Sequence, residues 1–259
     1  MRRAFFLLIL VFVGCNRVRS AATWTKGLLT DPPPPPPLSI VLACDHSTGS
    51  TCGQVELAAN IDVTLLGAAG RPHSTIALWV IGGDVGSTRE LTHVDVPDES
   101  TRGDRARAAQ QRTWIEASRA ELLRASKAIF SVEPTHASPL AAAISAISLS
   151  RPGSTIVLMT DGLESTRETF DFECKKLPDA HKLLARFKTL SLLAPGSLAN
   201  THVIFANARI TEVGENRCPM SIARIAGVRS LWNAAITNAG GTLTITTDAI
   251  TTTDLGGAQ

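Results

Sequence analysis

Tyrosine does not occur anywhere in the 259 residues, and aromatic side chains of all kinds make up only 5%. Stacking platforms for single-stranded nucleic acid need rows of such rings and are excluded. A surplus of one charge is missing as well. The formal net charge of +2 vanishes once Arg2 and Arg3 are set aside, because the first fourteen residues hold no acid. The remainder is balanced, which excludes a nucleic-acid partner held by bulk electrostatics. Internal repeats and the Cys/His spacing of zinc sites are absent too. The apolar run from Ala4 to Gly14 falls short of the roughly 20 residues that a membrane-spanning helix requires. What the chain does have is 44% hydrophobic residues, enough for the core of one large domain, and this excludes a disordered polymer.

Met1-Arg2-Arg3 followed by that apolar run has the charge and length of a signal peptide, residues 1–14. Phe12-Val13-Gly14-Cys15 resembles the cleavage box of bacterial lipoproteins, with Phe12 in the place usually held by Leu. The resemblance implies lipidation of Cys15 and a location in the cell envelope, with the membrane reached through the lipid. Asn16 in the following position, where Asp resembles an inner-membrane retention signal, favours the outer membrane or a periplasmic face. The alternative is a soluble secreted protein. Residues 15–37 form a linker that ends in six prolines, Pro32 to Pro37. Their fixed φ and missing N–H enforce a stiff polyproline II spacer of roughly 19 Å, at ~3.1 Å per residue.

From residue 38 onward, short β-branched runs recur at Ser39 to Cys44, Thr75 to Ile81, Ser154 to Met159, His202 to Ala206 and Thr242 to Thr246. Helical spacing fills the intervals Val55 to Ala69, Trp114 to Phe130, Pro139 to Leu149, Ala180 to Leu193 and Met220 to Ala239. Gly82 to Val96 reads as an antiparallel edge hairpin. Alternation of strand and helix gives an α/β domain over 38–259: a doubly wound, mostly parallel sheet with helices on both faces. Ligands of such sheets bind beyond the carboxyl ends of the strands, where the strand order reverses.

Three polar segments fall at that rim. Asp45-His46-Ser47-Thr48-Gly49-Ser50 ends the first strand and Thr160-Asp161-Gly162 ends the fourth. Thr135-His136-Ala137-Ser138-Pro139-Leu140 opens a helix, with Ser138 expected as its N-cap. If the first and fourth strands are neighbours, carboxylates and hydroxyls meet there, a set of hard oxygens suited to Mg²⁺. These residues resemble the von Willebrand factor A domain family, whose metal site is written Asp-x-Ser-x-Ser, then a Thr at a helix start, then Asp in a Thr-Asp-Gly turn. The resemblance spans Leu38 to Thr247. It implies that Asp45, Ser47, Ser138 and Asp161 ligate Mg²⁺ and that a protein partner offers an acidic side chain to it. Ser138 stands where Thr is usual. Gly49 replaces the second Ser and Ser50 follows one residue late, which implies weak metal affinity without a partner.

Four cysteines remain beyond Cys15, and an exported location permits disulfides. Three pairings are open; Cys44 with Cys52 and Cys174 with Cys218 is preferred, against a reduced, merely apolar Cys44. Two other functions compete with the metal-dependent binder: a metal-free scaffold on the same fold, and a divalent-metal phosphohydrolase using Asp45 and Asp161. Catalysis is the weaker class. Gly49-Ser50-Thr51-Cys52-Gly53 has Thr at the centre of what would be a nucleophile elbow. His46 and His136 read as solvent-facing loop residues rather than bases. Arg102-Gly103-Asp104 is an ordinary helix lead-in, the arginines that follow form a solvated face, and Trp114 and Trp232 are assigned to core packing.

Overall fold

A computed structural model describes residues 35–98, 103–172, 175–209 and 220–256, and the folded unit opens at Pro36. The signal segment, Cys15, the first three prolines of the spacer, Cys174 and Cys218 lie outside the described residues. Pro35 to Pro37 are exposed and without regular structure. No described helix is long and apolar enough to cross a membrane.

The chain runs β1 (Ser39–Asp45), α1 (Gln54–Ala68), β2 (Thr75–Ile81), β3 (Arg89–Asp95), α2 (Asp104–Phe130), α3 (Leu140–Ser150), β4 (Thr155–Met159), α4 (Ala180–Thr189), β5 (His202–Ala206), α5 (Ile222–Asn238), β6 (Thr242–Ile245) and α6 (Thr252–Leu255). The strands form one sheet in the order β3-β2-β1-β4-β5-β6. All neighbours are parallel except β2 and β3, the antiparallel edge expected from the sequence.

β1 is a continuous apolar run because both of its faces are covered. Val41 and Ala43 enter one core layer, with Leu140 and Ile144 of α3, Leu183 of α4 and Val228 of α5. Ile40, Leu42 and Cys44 enter the opposite layer, with Leu57 and Ile61 of α1, Leu122 of α2 and Leu255 of α6. Alternate side chains of a strand point to opposite faces, so one segment feeds two cores. Each fully buried Val, Leu or Ile contributes about 1.5–3 kcal/mol. Trp232 is fully buried among Phe172, Phe187 and Phe205, as assigned. Trp114 is only half-buried and donates its indole N–H to the Asp95 carbonyl at 2.8 Å.

Two helices differ from the sequence expectation. α2 begins at Asp104 rather than near Trp114, and the added turns are mostly Arg, Ala and Gln with little apolar stripe to read. α4 stops at Thr189 rather than Leu193. Ser191 and Leu193 have φ of +57° and +45°, and the Leu193 N–H is spent on the Ser145 hydroxyl of α3 at 3.0 Å instead of on a helical carbonyl. The short α6 was not anticipated. It is reached through Asn60 of α1, whose buried side chain accepts from the Ile250 N–H at 3.0 Å and donates to Asn207 at 2.8 Å.

Candidate functional site

The chain passes from β1 outward to β2 and β3, and then from β4 outward to β5 and β6. The strand order therefore reverses between the adjacent strands β1 and β4. Asp45 closes β1 at this point and is 1% exposed. Its Oδ2 accepts two hydrogen bonds, from the Ser138 hydroxyl at 2.8 Å and from the Thr160 hydroxyl at 2.8 Å. Its Oδ1 is buried and completes no hydrogen bond. Burial raises the Asp45 pKa above the usual carboxylate value; the donors Thr160, Ser138 and Ser47, in that order, pull against the rise. Ser47 thus lies close enough to act on the carboxyl without satisfying Oδ1. Buried polar atoms are almost always paired, so a buried carboxylate oxygen that completes no hydrogen bond marks a place suited to a positive group.

The loop after β1 is set by three devices. Ser50 donates its N–H to the Ser47 carbonyl at 3.0 Å, closing a turn in which Gly49 has φ of +84°. That conformation is strained for any residue with a Cβ. The Ser50 hydroxyl accepts from the Cys52 N–H at 3.2 Å and so stays with its own loop. Cys44 and Cys52 form a disulfide with a Cα–Cα separation of 5.5 Å, tying the loop's end back to β1. Thr48 fixes the outer side, donating both its N–H and its hydroxyl to the Thr135 carbonyl, at 2.6 and 2.9 Å.

His46 is not solvent-facing as expected. It is 9% exposed, its Nε2 is 3.0 Å from the Val132 carbonyl, and its ring packs edge-on to Phe130. As the residue between Asp45 and Ser47 it points to the other face of the chain, where it anchors the end of α2. His136 is exposed and its Nδ1 lies 3.3 Å from the Thr48 hydroxyl. Thr51, the centre of the elbow-like sequence, has a buried hydroxyl with no hydrogen-bond partner, so no base activates it.

Ser138 is not the N-cap of α3. The helix opens at Leu140 with Pro139 in the cap position and no side chain of its own capping it. The Ser138 hydroxyl is turned to Asp45 instead. The cap comes from elsewhere: Glu164, in the loop after β4, is fully buried and its Oε2 accepts from the Ala141 N–H at 2.9 Å, while the Thr169 hydroxyl donates to Oε1. Burial pushes the Glu164 pKa up to about 7; the hydrogen bonds from Thr169, Ala141 and Leu140 oppose the rise, and the nearby Asp45 carboxylate adds to it.

Asp161 is buried as well, and its Oδ1 accepts from the Leu163 N–H at 2.9 Å. The turn that carries it is pinned by the Trp232 indole N–H, which donates to the Gly162 carbonyl at 2.7 Å. Gly162 has φ of +78° and an added Cβ would meet the Phe205 ring at 3.3 Å. The structure therefore joins Asp45 and Ser138 directly and sets Ser47 close to them; Asp161 follows Thr160, which itself bonds Asp45. Thr160 and Glu164 were not singled out from the sequence. Thr160 was legible as a hydroxyl in the Thr-Asp-Gly turn, whereas Glu164 carries no motif signal. Among the described residues no three His, Cys, Asp or Glu side chains form a metal-holding group. The oxygen set at Asp45 combines its carboxylate with hydroxyls, the donor class that suits Mg²⁺.

No family model matches the chain, and no curated protein matches it. Among solved structures it is similar to the pilus adhesin SpaC from Lactobacillus rhamnosus GG, at 9% identity and a TM-score of 0.44, over 85% of this chain and 29% of that one. It is also similar to a von Willebrand factor type A protein from Catenulispora acidiphila, at 13% identity and a TM-score of 0.39, over 82% of this chain and 39% of the other. A third is proximal thread matrix protein 1 from the mussel byssus, at 9% identity and a TM-score of 0.35, over 86% and 46% of the two chains. The chain spans less than half the length of each of these proteins.

Proposed function

We propose that this chain is an envelope-anchored protein-binding module of the von Willebrand A type, in which Asp45, Ser47, Ser138 and Asp161 hold Mg²⁺. The observation that carries the reading is the state of Asp45: two hydroxyls from distant parts of the chain converge on Oδ2, while Oδ1 is buried and unpartnered. When bound, the cation supplies a coordination position that a carboxylate of the protein partner fills. The chain's own part is to hold the oxygens: β1 and β4 bring Asp45 and Asp161 to one rim, the Cys44–Cys52 bond fixes the loop bearing Ser47, and α3 delivers Ser138. Val55 and Ile222 are exposed at the N-termini of α1 and α5, on the same end of the sheet. They offer apolar contacts to a macromolecule around the pocket. Lipidation of Cys15 and the proline spacer place the module at a distance from a membrane surface.

Calorimetric titration with Mg²⁺ and Mn²⁺ tests the reading. Wild-type protein binds one cation, and Asp45→Asn, close in shape but unable to supply the charge, binds none. If the wild type takes up neither ion, the same pocket is a closed hydroxyl–carboxylate cluster and the module binds its partner without metal. Turnover of a generic phosphate ester that disappears in Asp45→Asn would instead make it a phosphohydrolase.

A further inference from the structure

The hydroxyl of Ser138 goes to Asp45 while another group caps the helix that follows it. A helix start leaves up to four N–H groups without partners and carries a partial positive charge, both of which call for an oxygen acceptor. A Ser in the cap position often meets that need with its own hydroxyl. Here Ser138 does not, and the residue in the cap position is Pro139, which has no side-chain acceptor. The acceptor is Glu164, 23 residues further along the chain, which takes the Ala141 N–H. The next residue, Ser165, exchanges two backbone hydrogen bonds with Ser138: it accepts from the Ser138 N–H at 3.0 Å and donates its own N–H to the Ser138 carbonyl at 3.1 Å. Glu164 is therefore part of a short ladder that joins the start of α3 to the loop carrying Asp161. Its second oxygen is held by Thr169, so the carboxyl cannot swing away without breaking both contacts.

We propose that Glu164 is a positioning residue for the oxygen pocket: by capping α3 from the β4 loop, it frees the Ser138 hydroxyl and holds it against Asp45. The proposal rests on the metal-binding reading for its functional half only; the capping half concerns the protein by itself. A carboxylate is not essential to that role. Gln in the same place can accept from Ala141 with its carbonyl and donate to the Thr169 hydroxyl with its amide, whereas Ala leaves the helix start bare and opens Ser138 to recapture by its own helix.

The test combines amide hydrogen exchange and backbone NMR shifts without metal with Mg²⁺ titration, on the wild type, Glu164→Gln and Glu164→Ala. In Glu164→Ala the Ala141 amide exchanges faster, the Ser138 signal shifts, and the Mg²⁺ dissociation constant rises about tenfold, inside the range that losing a helix cap spans. Glu164→Gln restores the exchange rate and brings the dissociation constant back to within about threefold of wild type. If Glu164→Ala leaves the Ala141 exchange and the Ser138 shift unchanged, or if Gln does as much damage as Ala, the proposal is overturned. Should wild-type protein bind no Mg²⁺, the pocket reading fails by itself, and the two metal-free signals still decide the role of Glu164. Should Glu164→Ala not fold, Thr169→Val, which removes the hydroxyl that steadies the carboxyl, gives the same signals in weaker form or overturns the proposal by leaving them at wild-type values.

Discussion

Asp45 and Glu164 are both kept above their ordinary pKa by burial, and this gives the domain a defined pH dependence. A carboxyl raised in the native state binds its proton more tightly folded than unfolded. Its contribution is complete below the unfolded value and is lost as pH rises through the folded one. For Glu164 the window runs from its ordinary 4.5 to about 7, and the loss amounts to roughly 3 kcal/mol before solvent relaxation is allowed for. Metal-free protein should therefore melt at a lower temperature at pH 8 than at pH 5. Glu164→Gln should flatten the upper part of that curve, which a series of thermal melts across the range will check. The sequence singled out Asp45, Ser138 and Asp161 because each ends a β-branched run or precedes a helix, where short-range pattern and rim position coincide. It hid Glu164, because nothing local distinguishes a buried capping carboxylate from the many exposed ones. It misplaced His46 for the opposite reason: the ring's partners, Val132 and Phe130, lie more than eighty residues away.

At the level of elements, the loop between β1 and α1 departs from the resembling motif at Gly49, and its geometry explains the departure. With φ at +84°, a Cβ costs about 1–2 kcal/mol. Repairing the motif by Gly49→Ser should accordingly lower stability by about 1 kcal/mol and leave Mg²⁺ affinity no better than wild type, as denaturant melts and titration will report. The same loop is closed by a disulfide between residues eight apart. Replacing both Cys44 and Cys52 with Ala should cost about 2–3 kcal/mol in the unfolding free energy, and should weaken Mg²⁺ binding beyond what the stability loss explains, because Asp45 and Ser47 lie inside the closed segment. Helix ends were the least legible elements. The first ten residues of α2 lacked a stripe to read, and α4 is closed by Ser191 in the left-handed region, with the Leu192 N–H returned to the Phe187 carbonyl, a conformation a serine does not advertise.

For the whole molecule, the alternation of strands and helices was enough to foresee the rim where the strand order reverses, since the doubly wound arrangement puts the carboxyl ends of β1 and β4 side by side. Which oxygen of Asp45 each hydroxyl would choose, and that one would be left without a donor, depends on packing between layers and could not be read from the chain. The proposed anchor predicts that cells expressing the full chain incorporate radiolabelled palmitate into it and that Cys15→Ser abolishes the label while leaving the domain folded. The Cys44–Cys52 bond adds an order of events. Such bonds persist in oxidising compartments and not in the cytosol, so under the proposed export the segment bearing Asp45 and Ser47 would acquire its final shape only after the chain had left the place of its synthesis. The proposed recognition would thereby be withheld from anything the protein meets before that bond closes.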